Sequence, residues 1–205
     1  MVEAECGKPE RKQKSLLLRR VTPGMALLVI GAILVLRLWV VETAYVEGRS
    51  MQDTLQQGDR VLILKLLKRE RFDVVVLNDP EEGGIDIKRI VGTPGDVVSV
   101  VPHVKDVGRH QVVYGGELYV NAQPYEEPYA ASAIPSSLPP AKVPEDSYFV
   151  MGDNRDDSID SRQYGPVKAK NIRGVAVAVV FPIDRIQMLK RVETPAARRA
   201  AGSTR

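Results

Sequence analysis

The feature that most constrains this chain is a single long apolar segment, Val21 to Val41, whose core from Met25 to Leu36 is free of charge. A helix through the whole segment would be about 31 Å long, close to the hydrocarbon thickness of a bilayer. Arg37 stands near its C-terminal end, where a long side chain can snorkel to the headgroups. Trp39 and Tyr45 suit the interface on that side. The preceding flank carries Lys8, Arg11, Lys12, Lys14, Arg19 and Arg20, whereas the following one mixes Glu42, Glu47 and Arg49. The positive-inside bias then leaves the N-terminus in the cytoplasm and everything after about residue 42 outside. A cleaved leader is disfavoured because Glu42 fills a position that a small-x-small cleavage site needs small. A buried soluble helix is disfavoured by the basic flank. The expected order is a cytoplasmic basic tail (1–20), a transmembrane helix (21–41), an extracytoplasmic domain (42–192) and a disordered Ala- and Arg-rich tail (193–205).

The outer part has a different texture. Short β-branched runs alternate with Gly, Pro and Asp turns: 60–67, 73–77, 85–91, 96–101, 117–120, 147–151 and 174–181. Their lengths and composition predict strands, hence a mostly β, all-β or barrel-like domain of about 150 residues. The stretch 124–145, rich in Pro, Ala and Ser, reads as a long surface loop. A net charge of +3, with no basic stripe interleaved with aromatics, argues against nucleic acid as a partner. The single cysteine, Cys6, excludes an intramolecular disulfide framework and a Cys-rich zinc site. His103 and His110 stand in a polar stretch without ligand-like neighbours.

Four segments carry the chemistry. They are GRSMQDTL (48–55), GDRV (58–61), KRIVGTPGD (88–96) and GDNRDDSIDSR (152–162), the last followed by GPV (165–167). A lone serine, a Lys-Arg pair or a Pro-Gly-Asp turn is commonplace. Eleven residues dense in Asp, Arg and Ser with no apolar stripe are not, and they lack the glycine and terminal Glu spacing of an EF-hand. Such a segment suits a fixed hydrogen-bond network beneath a site.

In this order after an apolar helix, the four segments resemble the boxes of bacterial type I signal peptidases, over roughly residues 25 to 182. ELYVNAQPYEEP (117–128) resembles the strand and turn those enzymes carry between the lysine and the acidic box. The resemblance implies a largely β extracytoplasmic domain on the bacterial cell membrane, cutting signal peptides from exported preproteins after a small-x-small site near a Sec-type translocon. It implies a serine endopeptidase with no cofactor and no metal. By position, Ser50 would be the nucleophile and Lys88 the general base. Ser158 would hydrogen-bond the lysine amine, Asp160 and Arg162 would pair beneath the site, and Asp153 and Arg155 would support the same network. Gly48 stands where some members carry an oxyanion-assisting serine. Two readings compete: a self-cleaving repressor-type Ser-Lys peptidase, and a catalytically silent relative serving as an assembly factor.

A lysine takes a serine's proton only when neutral, and a free lysine is protonated at pH 7. Burial favours the neutral amine, so such a base wants an apolar lining and a hydroxyl partner. Ile90 shares a strand face with Lys88, and the backbone N–H of Ser50 is the simplest oxyanion donor. Two positions depart from the family pattern. Asp53 replaces a proline. Asp86, two residues before Lys88 and so on its face, replaces an aromatic or apolar residue. Since a carboxylate there opposes a neutral amine, Asp86 is expected to turn to solvent or to an arginine.

Overall fold

The computed structural model describes residues 22–52, 54–80, 83–107, 110–130 and 132–189. The expected tails at 1–20 and 193–205, and Asp53, lie outside them. The first element is α1 (Pro23–Trp39). Proline suits the first helical position, and Thr22 caps the end by accepting the Met25 N–H on its hydroxyl and the Ala26 N–H on its carbonyl. At 17 residues α1 is about 25 Å long. No helix among the described residues is long and apolar enough to cross a membrane. The expected span ran on to Val41, but a neighbouring strand claims that end of the segment. Val41 pairs with Leu64, and the Lys65 N–H donates to the Val40 carbonyl.

Twelve strands follow among the described residues: β1 (Val41–Tyr45), β2 (Arg60–Leu64), β3 (Val74–Asn78), β4 (Ile85–Gly92), β5 (Val97–Val107), β6 (His110–Val120), β7 (Gln123–Pro124), β8 (Leu138–Lys142), β9 (Ser147–Met151), β10 (Val167–Lys168), β11 (Ile172–Phe181) and β12 (Gln187–Met188). A one-turn helix, α2 (Ser161–Tyr164), lies between β9 and β10. The protein is mostly β, as the alternating runs predict, with its strands divided between two antiparallel sheets. One runs β1-β2-β11-β3-β4-β9-β10, with β12 beside β11; the other runs β7-β6-β5-β8. All seven expected strands are present. β5 and β6 extend beyond their apolar runs because they pair with one another from Val98–Val120 out to Val107–His110. The stretch read as a loop contributes β8, whose sequence LPPAK carries two prolines. Proline donates no ladder hydrogen bond, and β8 is an edge strand paired only with β5.

Met51 and Leu55 sit in one core cluster with Val61, Ile63, Val76, Ile87 and Val179. A second cluster gathers Val91, Val98, Leu118, Ile134 and Phe149 between the sheets' adjoining strands. A third holds Val75, Leu77, Ile90 and Val150 on the far face of β4. β4 is therefore covered on both faces, which explains how a strand carrying Lys88 and Arg89 is buried from Ile87 to Gly92.

Candidate active site

Ser50 sits on the turn between β1 and β2, and the side chain after it fixes its aim. Met51 is 2% exposed in the core, and the Leu55 and Thr54 N–H groups donate to the Met51 carbonyl. With Met51 driven inward, Ser50 is left at the mouth of a cleft of about 500 Å³ that also exposes Gly48, Asp86, Lys88, Ser158 and Gln163. Gly48 adopts φ +79 with open space where a Cβ would stand, so the backbone conformation, not crowding, favours glycine there.

Lys88 enters the same cleft from β4. Its Nζ lies 3.1 Å from Ser50 Oγ, although the two residues are 38 apart in sequence. The lysine side chain is 3% exposed. Across the sheet Val75 pairs with Lys88 and Leu77 with Asp86, and both valine and leucine belong to the apolar cluster around Ile90. The lysine is buried as expected, but the apolar lining expected around it is not what the cleft offers: beside Ile85 and Ile159 stand Asp79, Asp86, Asp156 and Asp157.

Asp86 does not turn to solvent or to an arginine. Its carboxylate stands 2.7 Å from Lys88 Nζ and also accepts the Ile87 N–H. The strand geometry that puts residues 86 and 88 on one face brings the carboxylate onto the lysine amine. Ser158 shares the cleft, but its hydroxyl donates to Asp160 Oδ2 at 2.8 Å instead of meeting the lysine.

The expected pair of Asp160 and Arg162 is present and is the most heavily bonded group of the acidic segment. Asp160 is fully buried and accepts from Arg162 Nε and Nη2, the Arg162 N–H, the Gly152 N–H and Ser158. It is also the N-cap of α2. Burial pushes its carboxyl up, but the Arg162 guanidinium and the two backbone N–H groups outweigh that and hold it below the usual value.

Asp153 and Arg155 do not pair with each other. Asp153 receives a two-pronged fork from Arg89, Nε to Oδ1 at 2.8 Å and Nη2 to Oδ2 at 2.6 Å, together with the Thr54 hydroxyl at 2.6 Å. Arg89 also donates to the Phe72 carbonyl. Both members are buried, so removing either would leave an unpaired charge costing about 3–5 kcal/mol. Arg155 instead meets Glu127. Arg89, Thr54 and Glu127 were not singled out in the sequence. Arg89 stands in KRIVGTPGD, Thr54 in GRSMQDTL and Glu127 in ELYVNAQPYEEP, so each lies in a segment that carries the resemblance, but nothing local marks its partner.

Between Asp153 and Arg155, Asn154 grips the serine turn directly. Its N–H donates to the Ser50 carbonyl at 3.0 Å and its side-chain amide to the Arg49 carbonyl at 3.2 Å. Gly152 has to be glycine for room. A Cβ on it would stand 2.6 Å from both the Ser50 carbonyl oxygen and the Ser158 Cβ.

A family model described as "Signal peptidase, peptidase S26" matches residues 19–181. Among curated proteins, the chain is 32% identical to signal peptidase I P of Bacillus subtilis subsp. natto, over 88% of this chain and 98% of that one. It is 35% identical to a signal peptidase I of Bacillus licheniformis, over 75% and 84%. A crystal structure of a signal peptidase I from Enterococcus faecalis, 29% identical, covers 53% of this chain and 97% of that one at a TM-score of 0.43, too partial an overlap to compare folds.

Proposed function

The chain belongs to the signal peptidase family, peptidase S26, and from that premise we propose that Ser50 is its nucleophile and Lys88 its general base. As a member it is a serine peptidase that removes signal peptides from exported preproteins. The observation that carries the assignment of the dyad is the 3.1 Å contact between the buried Lys88 Nζ and Ser50 Oγ.

In the proposed reaction, neutral Lys88 takes the Ser50 proton as Oγ attacks the scissile carbonyl carbon. The negative charge moves to the carbonyl oxygen, where the backbone N–H of Ser50 is the nearest candidate donor. Lys88 then returns the proton to the departing amine, leaving an acyl group on Ser50. A water, deprotonated by the same lysine, attacks that ester; the C–Oγ bond breaks, Lys88 passes the proton to Ser50 Oγ, and the acid product leaves as a carboxylate, its own proton going to solvent. Small residues in an Ala-x-Ala pattern immediately before the scissile bond are the proposed sequence requirement.

The bilayer anchor belongs to the same proposal. Leu27, Leu28, Val29, Ile30, Ile33 and Leu34 on α1 each expose more than half of their surface, which water does not favour. Together with the basic residues that precede them, these side chains support a single membrane-held segment with the N-terminus in the cytoplasm and the peptidase domain outside. Tethering would raise the effective concentration of a membrane-held substrate beside the translocon.

The test is cleavage of a preprotein carrying an Ala-x-Ala site by the full chain in lipid, against Ser50→Ala and Lys88→Ala. Each substitution is expected to lower kcat by at least about 10³-fold. Cleavage that survives either one removes that residue from the dyad.

A further inference from the structure

Two residues in the Pro-rich stretch, outside all four boxes, fasten the loop that grips Ser50. We infer that Glu127 and Tyr129 are positioning residues for the nucleophile, an inference that rests on the proposal that Ser50 is that nucleophile.

The segment leaves β7 at Pro124, beside the second sheet, where the Tyr125 N–H donates to the Leu118 carbonyl. It then crosses to the acidic loop. Both Glu127 oxygens accept from Arg155, Nη1 to Oε2 at 2.6 Å and Nη2 to Oε1 at 2.5 Å. The third guanidinium nitrogen, Nε, donates to the Gly152 carbonyl at 2.9 Å. The planar fork is thus used on two sides, and it closes the turn from Gly152 to Arg155 upon itself. The Arg155 side chain has no exposed surface and that of Glu127 is 10% exposed, so solvent has little access to this pair.

Tyr129 acts on both cations. Its ring centroid is 4.2 Å from the Arg89 guanidinium carbon and 5.9 Å from that of Arg155. Its hydroxyl donates to Glu127 Oε1 at 2.9 Å, and its ring also leans on Phe72. Arg89 in turn holds Asp153. Of the residues on either side of Asn154, Asp153 is therefore held by the Arg89 guanidinium, which lies over Tyr129, and Arg155 is held by Glu127. Asn154 is the residue whose N–H binds the Ser50 carbonyl. The route from Glu127 to the nucleophile contains only short hydrogen bonds and a closed turn, and its far end is backbone. A nucleophile displaced by a fraction of an ångström loses rate without necessarily losing substrate affinity.

The experiment compares Glu127→Gln, Glu127→Asp and Tyr129→Phe with the unmutated full chain in lipid, using the preprotein substrate and a fluorophosphonate that reports acylation of Ser50. Expected for Glu127→Gln is a fall in kcat of about tenfold with KM within roughly twofold, and a parallel fall in acylation rate. Glu127→Asp should recover part of that loss, since it restores the charge. Tyr129→Phe keeps the ring over Arg89 and removes only the hydroxyl; a smaller fall in kcat at unchanged Tm supports the inference even if Glu127→Gln folds poorly. Undiminished kcat in both Glu127→Gln and Tyr129→Phe overturns it, as does a loss that tracks the folded fraction alone. Ser50→Ala, run alongside, separates the two proposals. If it is inactive while the Glu127 and Tyr129 variants are fully active, the positioning role alone falls; if it still cleaves, the dyad itself falls.

Discussion

The Asp86 carboxylate and the Lys88 amine form an ion pair at 2.7 Å on one face of β4, and Ser50 Oγ lies 3.1 Å from the same amine. The carboxylate can only accept from that nitrogen, whereas the proposed reaction needs the nitrogen to accept from Ser50. Asp86 and Ser50 thus make opposite demands on one nitrogen. Replacing Asp86 with Asn keeps the shape and removes the charge. Asp86→Asn is expected to raise kcat/KM at pH 7 by about tenfold, because the amine then has no carboxylate to donate to in place of meeting the serine. A kcat/KM equal to that of the unmutated protein would refute the coupling.

Gly152 supplies a second prediction. The clash of an added Cβ would be with the Ser50 carbonyl and Ser158, both fixed by other bonds. Gly152→Ala is expected to lower kcat by about 10²-fold, because the turn bearing Ser50 must move. Steady-state kinetics on a folded sample decide it; near-normal turnover would mean that the cleft tolerates the displacement.

Asp160 supplies a third. Its carboxyl is held low in the folded state, since Arg162 and backbone N–H groups overcome the effect of burial. Asp96 behaves alike: burial raises its carboxyl, and Thr93, Arg71 and Asn121 together bring it below the usual value. A carboxyl depressed by folding stabilises the fold fully above its unfolded value, and that stabilisation is lost as pH falls through the folded one. Stability should therefore be level near neutrality and decline below about pH 4. Asp160→Asn should be less stable than the unmutated protein at pH 7, with the gap narrowing toward pH 3. Thermal unfolding at both pH values tests this, and a gap that stays constant would remove Asp160 from the acid response.

The strands and the boxes were legible because their signals are local. Alternating β-branched runs announce β2, β3, β4, β9 and β11 whatever their partners, and the acidic box is conspicuous by density alone. β8 was not legible, since Leu138–Lys142 qualifies as a strand only beside β5, at an edge that spares its prolines a donor's role. Nor was β1, whose first residue continues the apolar segment until β2 pairs with it.

The amino-acid sequence by itself determined the mostly β domain after an apolar helix, and the order of serine, lysine and acidic box. It also determined that Asp86 and Lys88 share a face, because residues two apart in a strand point the same way. Tertiary structure alone decided whom the charges meet. Arg89 and Asp153 are 64 residues apart, and Arg155 finds Glu127 across 28. Those choices follow from burial: once the chain packs, a charge withdrawn from water must take the partner that the sheets bring within reach.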